Sequence, residues 1–420
     1  MLRFEILTLF PQLFESFSSC GLISRAISEG LLELHPSQLR DFCVNTHGQV
    51  DDTPFGGGSG MVLRPDAGVP AIEAAKKRLP CAKVILFTPR GVPFKQELAK
   101  ELASGADDEC RDYILVCSRY EGVDQRIIDH WVDFEVSLGD YVLMGAEVAA
   151  MSLIEATSRL VPGVLGNPNS IVTESFAEHL LEYPQYTKPR SFRDIDVPGV
   201  LLSGNHKDVE SWRRDKSVED TISRRPDLIT RDKERSCPLA VALLHSPVVD
   251  KQGDIITSSI TNIDLHDIAR SACTYGVDSF YVAHPVKTMR RLVNRICTHW
   301  EQGFGAEYNP NRKQALRKIS LVADLDDIIL DIENKYGCLP RIIATSARKQ
   351  GSNVSFAELS AILRTQEEPH LLLLGTGWGL AEEIISRAQY MLEPISGPTD
   401  YNHLSVRAAL AIMLDRLLGR

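Results

Sequence analysis

None of the nine cysteines (20, 43, 81, 110, 117, 237, 273, 297 and 338) stands in a Cys-x-x-Cys pair, which argues against a zinc site and against a compact disulfide framework. Most are expected to be reduced, small core residues. No uninterrupted apolar run reaches membrane-spanning length, and the opening Met1-Leu2-Arg3-Phe4-Glu5 places an acid in the first apolar run and leads to no small-residue cleavage site. The chain therefore reads as cytoplasmic, with no membrane partner. Fixed-period repeats and low-complexity tracts are absent. The glycine run Gly56-Gly57-Gly58-Ser59-Gly60 lacks the Gly-Lys-Ser/Thr ending of a phosphate loop, so an NTPase is disfavoured. Positive charge is scarce too: Lys and Arg number 27 against 36 Asp and Glu over residues 1–235, and 19 against 20 over 236–420. That balance disfavours a general nucleic-acid binder and leaves no case for DNA.

What is present is an ordinary folded composition, 44% hydrophobic and 24% charged, in 420 residues, a length at which cores divide and two domains are expected. Short apolar runs at 3–10, 83–87, 113–117 and 132–137 read as buried strands, and 12–30, 66–79, 95–104 and 146–160 as helices. Such alternation predicts an α/β fold with a mostly parallel sheet. From Val161 the text turns rich in Pro, Gly, Asn and Ser, and we place a mobile linker at 161–175 after a first domain at 1–160. A charged helical stretch follows over 176–231, then a linker at 232–238. A second alternating series starts afresh within 239–420, with strands at 239–244, 278–283, 319–323, 341–345 and 370–374 and helices at 263–275, 287–301 and 324–336.

The densest chemical signal in the first half lies in loops after strand ends, where open α/β sheets hold their ligands. These are Thr88 to Gly91, Ser118 to Gly122 and Leu138 to Glu147. Glycines there let backbone groups approach a flat ligand, while Glu121, Asp140 and Glu147 bring negative charge that suits a sulfonium cation. The segment 207–225 gathers Lys207, Arg213, Arg214, Lys216, Arg224 and Arg225, the means to contact phosphates. Asp208, Glu210, Asp215, Glu219 and Asp220 are interleaved with them, so charge alone favours a solvated helix face.

The stretches HGQVDDTPFGGGSGM (47–61), TPRG (88–91), RYEGVD (119–124), GDYVLMGAE (139–147), SRLVPGVLG (158–166), ESFAEHLLEYPQYTKP (174–189) and LLSGNH (201–206) closely resemble the TrmD-type tRNA (guanine-N1)-methyltransferases, in the family's order and spacing, from Phe4 to about Pro226. The resemblance implies a trefoil-knotted (SPOUT) α/β methyltransferase domain with a small helical tRNA-binding domain at 176–231. It also implies an obligate homodimer with active sites between subunits, and transfer of a methyl group from S-adenosylmethionine to N1 of guanosine 37 of tRNA, 3′ of the anticodon. Carried over by position, the cofactor contacts fall at Pro89, Gly91, Ser118, Tyr120, Glu121, Gly122, Leu138, Gly139, Asp140, Tyr141, Val142, Leu143, Gly145 and Ala146. Ser118 and Ala146 each replace a family glycine. His47 and Asp51 fall on tRNA-contacting positions, to which we add Lys207, Arg213, Arg214 and Lys216 from the basic cluster. Guanine N1 is protonated at neutral pH, so the reaction needs a base, and a cation near O6 where negative charge develops. Glu174, standing where the family carries an aspartate, is the expected base, and Arg159 the expected cation. A magnesium ion is implied as well, with no ligand cage legible in the sequence.

In the second half, Leu374-Gly375-Thr376-Gly377-Trp378-Gly379 follows a strand, and Ile395 to Ser405 opens the amphipathic helix 404–418. With SGPTDYNHLSVRAALAIMLDRLLG, these loops resemble the C-terminal knot of a less-studied family of SPOUT RNA methyltransferases. Gly375, Gly377, Gly379, Asn402 and Ser405 are the positions implied for its cofactor, in a second α/β-knot domain that methylates another RNA site. A non-catalytic RNA-binding role for that domain is the alternative. For the chain as a whole, a non-catalytic tRNA binder is opposed by the joint retention of RYEG, GDYVL and Arg159. An enzyme acting on a small adenosine-containing metabolite is opposed by the basic cluster.

Overall fold

The computed structural model describes residues 1–43, 48–105, 110–119, 121–229, 234–302, 309–349, 351 and 353–419. They form two compact units, Met1–Glu178 and His179–Arg420.

In the first unit, strands β1 (Leu2–Thr8), β2 (Leu32–Gln38), β3 (Lys83–Pro93), β4 (Asp112–Val116) and β5 (Phe134–Ser137) form a wholly parallel sheet in the order β2-β1-β4-β3-β5. Parallel pairing requires both faces to be covered, and the side chains divide accordingly. Phe4, Ile6, Ile85 and Leu115 pack against α1 (Leu13–Ser19), α2 (Gly21–Ser28), α4 (Gln96–Ser104) and α6 (Glu147–Ser158), while Leu7, Val84, Leu86 and Ile114 pack against α3 (Pro65–Arg78) and α5 (Gln125–Trp131). The acid in the first strand is accommodated by partners: buried Glu5 accepts from Ser37 and the Arg78 guanidinium. The helix expected over 12–30 is two helices, because Cys20 is extended (φ −119°, ψ 150°) and Gly21 takes φ +61°. The thiols also depart from expectation at one pair: Cys81 and Cys110, 29 residues apart, form a disulfide with a Cα–Cα distance of 6.3 Å. They immediately precede β3 and β4, adjacent strands that bring their starts together whatever the sequence spacing.

The second unit holds a parallel sheet of β6 (Leu239–Leu244), β7 (Ser279–Ala283), β8 (Ile319–Val322), β9 (Arg341–Ala344), β10 (His370–Gly375) and β11 (Tyr390–Met391) in the order β8-β7-β6-β10-β9-β11. One face carries Leu265, Val293, Leu316, Leu359, Leu410 and Met413 from five helices, and the other Leu325, Ile328 and Ile332. The charged helix α7 (His206–Arg224) belongs to this unit, with Ile222 packed against the first of those cores. Both sheets place the carboxyl ends of their central strands beside the glycine-bearing loops.

Candidate active site

The expected loop at 88–91 lies inside β3, at the irregularity between Phe87 and Val92, and with the loops after β4 and β5 it surrounds a cavity of about 480 Å³, a size suited to a small-molecule cofactor. Its walls include Pro89, Ser118, Glu121, Gly122, Leu138, Gly139, Tyr141, Val142, Leu143, Gly145 and Ala146, eleven of the fourteen positions expected to bind cofactor. Backbone bonds join the walls: the Ala146 amide donates to the Ser118 carbonyl at 3.1 Å, and Arg119 and Gly145 form an antiparallel bridge. The loop at 118–122 is tied on its other side to the glycine-rich segment, where the Glu121 amide donates to Met61 and the Leu63 amide to Gly122, each at 3.0 Å. A Cβ at Gly60 would lie 2.4 Å from the Glu121 side chain, so that glycine makes room for the loop's carboxylate.

Three expected contacts behave otherwise. Gly91 does not line the cavity; a Cβ there would sit 2.4 Å from the Val136 amide nitrogen, so this glycine permits β3 to cross close to β5. Asp140 is exposed outside the lining, and Tyr120 lies outside the described residues, as does His47. Of the three acids expected to face a cation, only Glu121 lines the cavity. Glu147 is buried and turned away, its carboxylate bound by Thr8 Oγ1 at 2.9 Å and by Arg119 at 3.1–3.2 Å. Arg119 lines the cavity and lies over the Phe10 ring at 4.3 Å. It stands inside the RYEGVD motif, yet nothing in a linear reading couples it to an acid 28 residues later.

Arg159, just past α6, and Glu174 are brought together within the first unit. Arg159 Nη1 donates to Glu174 Oε1 at 2.8 Å and Nη2 to Oε2 at 2.5 Å, while Gln96 Nε2 donates to Oε1 at 3.2 Å. The carboxylate beside it raises the Arg159 guanidinium above its ordinary pKa. The residues expected to act as cation and base are thus each other's partners, and neither lines the cavity. Asp51 pairs with Leu63 in a short antiparallel ladder with Asp52 and Val62, one chain away from the loop at Gly122.

In the second unit, Lys207 and Arg214 are exposed on α7, whereas Arg213 lies over the Tyr183 ring at 4.7 Å and Lys216 pairs with Glu219 at 2.5 Å. The four expected phosphate contacts are therefore unequal: two are free of ion pairs among the described residues and two are engaged. The loop after β10 docks on the segment after β6, with the Trp378 amide donating to Val249 at 2.9 Å and the Val249 amide to Gly379 at 3.0 Å. Gly377 and Gly379 take φ +63° and +123°, and a Cβ at Gly375 would meet the Leu380 nitrogen at 2.7 Å. Asn402 Nδ2 donates to the Ala347 carbonyl at 2.7 Å, and Ser405 caps the last helix, Val406–Leu418, by accepting from Ala408. The side chains of both residues therefore have structural work of their own, and the Ser405 carbonyl accepts from the Ala409 amide at 2.9 Å.

A family model described as tRNA (guanine-1)-methyltransferase TrmD matches residues 2–231, and one described as SAM-dependent RNA methyltransferase matches 238–419. Two curated relatives cover the whole chain and 99% of their own lengths: a tRNA (guanine-N(1)-)-methyltransferase of Oleidesulfovibrio alaskensis at 42% identity, and one of Nitratidesulfovibrio vulgaris at 40%. A third, a protein of the same name from Geobacter metallireducens, is 48% identical over 55% of this chain and 92% of its own.

Proposed function

The chain belongs to the tRNA (guanine-1)-methyltransferase family, and from that premise we propose that its first half methylates N1 of guanosine 37 of tRNA with S-adenosylmethionine as methyl donor. The observation that carries this reading is the cavity whose walls are the irregular stretch of β3 at 88–90 and the loops after β4 and β5. When bound, the cofactor supplies an electrophilic methyl group on a sulfonium. Its fit rests on backbone groups of the three loops, with Glu121 the carboxylate lining the cavity.

Glu174 takes the N1 proton, and Arg159 faces O6. The ion pair between them gives the order of events. As guanine enters, Arg159 turns from Glu174 to O6, which leaves the Glu174 carboxylate oxygens free to accept the N1 proton. The pair stands outside the cavity lining of its own chain, and Val142 and Met144 at the cavity rim are 85% and 93% exposed. Both facts support a homodimer in which each site is completed by a second copy, and the family supports a knotted fold. We propose the functional division as a methyltransferase domain at 1–160, a connection at 161–175, a tRNA-binding domain at 176–231, a linker at 232–238 and a second methyltransferase domain at 239–420. A cytoplasmic location, with tRNA, fits the lack of any helix long and apolar enough to cross a membrane among the described residues.

The magnesium ion that the resemblance implies has no ligand set assigned among the described residues; such an ion commonly takes one or two carboxylates, water and substrate phosphates. Among the described residues the single cluster with metal-ligand geometry is Cys81, Cys110 and Asp112, and its two sulfurs are joined to each other. No step is therefore routed through a metal. Tritiated methyl transfer to unmodified tRNA bearing guanosine 37, against a transcript with another base there, tests the whole reading. Equal incorporation into both transcripts would overturn it.

A further inference from the structure

The second unit exposes a cluster of rings for which its own fold has no use. Trp378 and Tyr401 are 51% and 75% exposed, and exposed His403 stands between them, edge-on to both, with ring centroids 6.0 and 5.5 Å away. Trp378 rises from the glycine loop after β10, and Tyr401 and His403 from the loop that opens the last helix. The cluster thus joins the two loops implied for the second cofactor site. The hydrogen bond from Asn402 to Ala347 ties it to a third loop, where Arg348 and Lys349 are exposed and form no ion pair among the described residues. Asp400, also exposed, is the acid beside Tyr401.

We propose that this cluster is a stacking platform for an unpaired RNA base at the mouth of the second site, with Arg348 and Lys349 holding the flanking phosphates. The proposal rests on the second unit's membership of the SAM-dependent RNA methyltransferases. A base must leave its stack to be methylated, and exposed aromatic faces replace the stacking it loses, while cations track the backbone. Exposed rings cost solvation that an isolated fold has no reason to bear. Their position at the carboxyl end of the sheet, on the two loops implied for the second cofactor site, puts the held base beside that site rather than at a distant surface.

The test uses full-length protein and a short unstructured RNA carrying 4-thiouridine, read by binding anisotropy and by mapping photocrosslinks. The W378A/Y401A variant should lose roughly five- to 150-fold in RNA affinity per stacked base, with the crosslink on Trp378 or Tyr401 abolished. W378F/Y401F should stay near wild type, and R348A/K349A should flatten the salt dependence. Methylation of guanosine 37 should be unchanged in all three. Wild-type RNA affinity in W378A/Y401A would overturn the platform, while methyl transfer to RNA by the second unit in that variant would leave the methyltransferase reading standing. Failure of wild-type protein to bind the RNA or crosslink it in this unit would overturn both. Concentration-dependent association that W378A/Y401A abolishes, with no change in RNA affinity, would assign the rings to a contact with a second copy and overturn the proposal.

Discussion

Replacing Glu174 by Gln separates the proposed chemistry from the structural role of the same side chain. The carboxylate accepts three N–H bonds, two from Arg159 and one from Gln96, and the side chains of the ion pair are 15% and 35% exposed. An amide has one acceptor oxygen and turns its NH₂ toward a guanidinium donor. The loss is about 1–2 kcal/mol of stability for a partly exposed charge-assisted pair. Removing a general base costs about 10²- to 10⁴-fold in the chemical step, which corresponds to roughly 3–5 kcal/mol of barrier. The two effects differ enough to be told apart. Glu174→Gln should bind tRNA and cofactor nearly normally and lose at least about a hundredfold in single-turnover methyl transfer, measured by rapid quench so that product release does not intervene. Glu174→Asp withdraws the carboxylate by about 1.5 Å, one carbon–carbon bond. The segment around it belongs to no helix or strand and can follow, so substantial activity should remain. If Glu174→Gln transfers methyl at the wild-type single-turnover rate, the base is another group.

Arg119→Ala leaves the buried Glu147 carboxylate with Thr8 alone, and should cost about 3–5 kcal/mol; an unchanged thermal midpoint would show that the pair is not what holds α6 to the strand ends. Lys207→Ala/Arg214→Ala should weaken tRNA binding and reduce its log–log salt slope by about two units, whereas Arg213→Ala/Lys216→Ala should change the slope less because those cations already have partners. Acid should destabilise the second unit. Burial lowers the pKa values of His245, His266, His284 and His370, that of His245 to about 4, with neighbouring His284 adding to it. The unfolded chain then binds the extra protons first, so stability is intact above about pH 6.5 and falls as pH drops toward the folded value. His245 alone removes about 2 kcal/mol by about pH 5 and roughly 3 kcal/mol below about pH 4. Urea midpoints that do not fall between about pH 7.5 and 5 would refute this.

What the sequence made legible follows a physical line. Strands β1, β3, β4, β6, β7, β9 and β10 announce themselves because both sheet faces are covered and their residues form nearly continuous apolar runs. Strand β2, LELHPSQ, does not: it contains Pro36, is only partly buried and runs along the edge of the sheet, the place where proline is tolerated. The glycine-bearing loops drew attention because glycine at a carboxyl edge is a local signature, and the resemblance implied the fourteen positions of which eleven line the cavity. The ion pairs Arg119–Glu147 and Arg159–Glu174 had no such signature, since each joins residues that only the folded chain brings into contact.

Ser118 and Ala146 are the two positions where the resemblance implies a glycine and the chain carries a side chain. The hydrogen bond between the loops runs from the Ala146 amide to the Ser118 carbonyl, so it needs neither side chain. The small methyl of Ala146 is buried, on the side of the loop that the core already fills. Gly145 is different: a Cβ there would lie 2.6 Å from Glu147 and 2.7 Å from Arg119, inside the ion pair that locks the wall. A wall built from backbone tolerates substitution where its side chains face the core and refuses it where two loops close on each other. The cavity accordingly depends less on the identity of its other lining residues than on Arg119, itself in the wall, and its pair with buried Glu147.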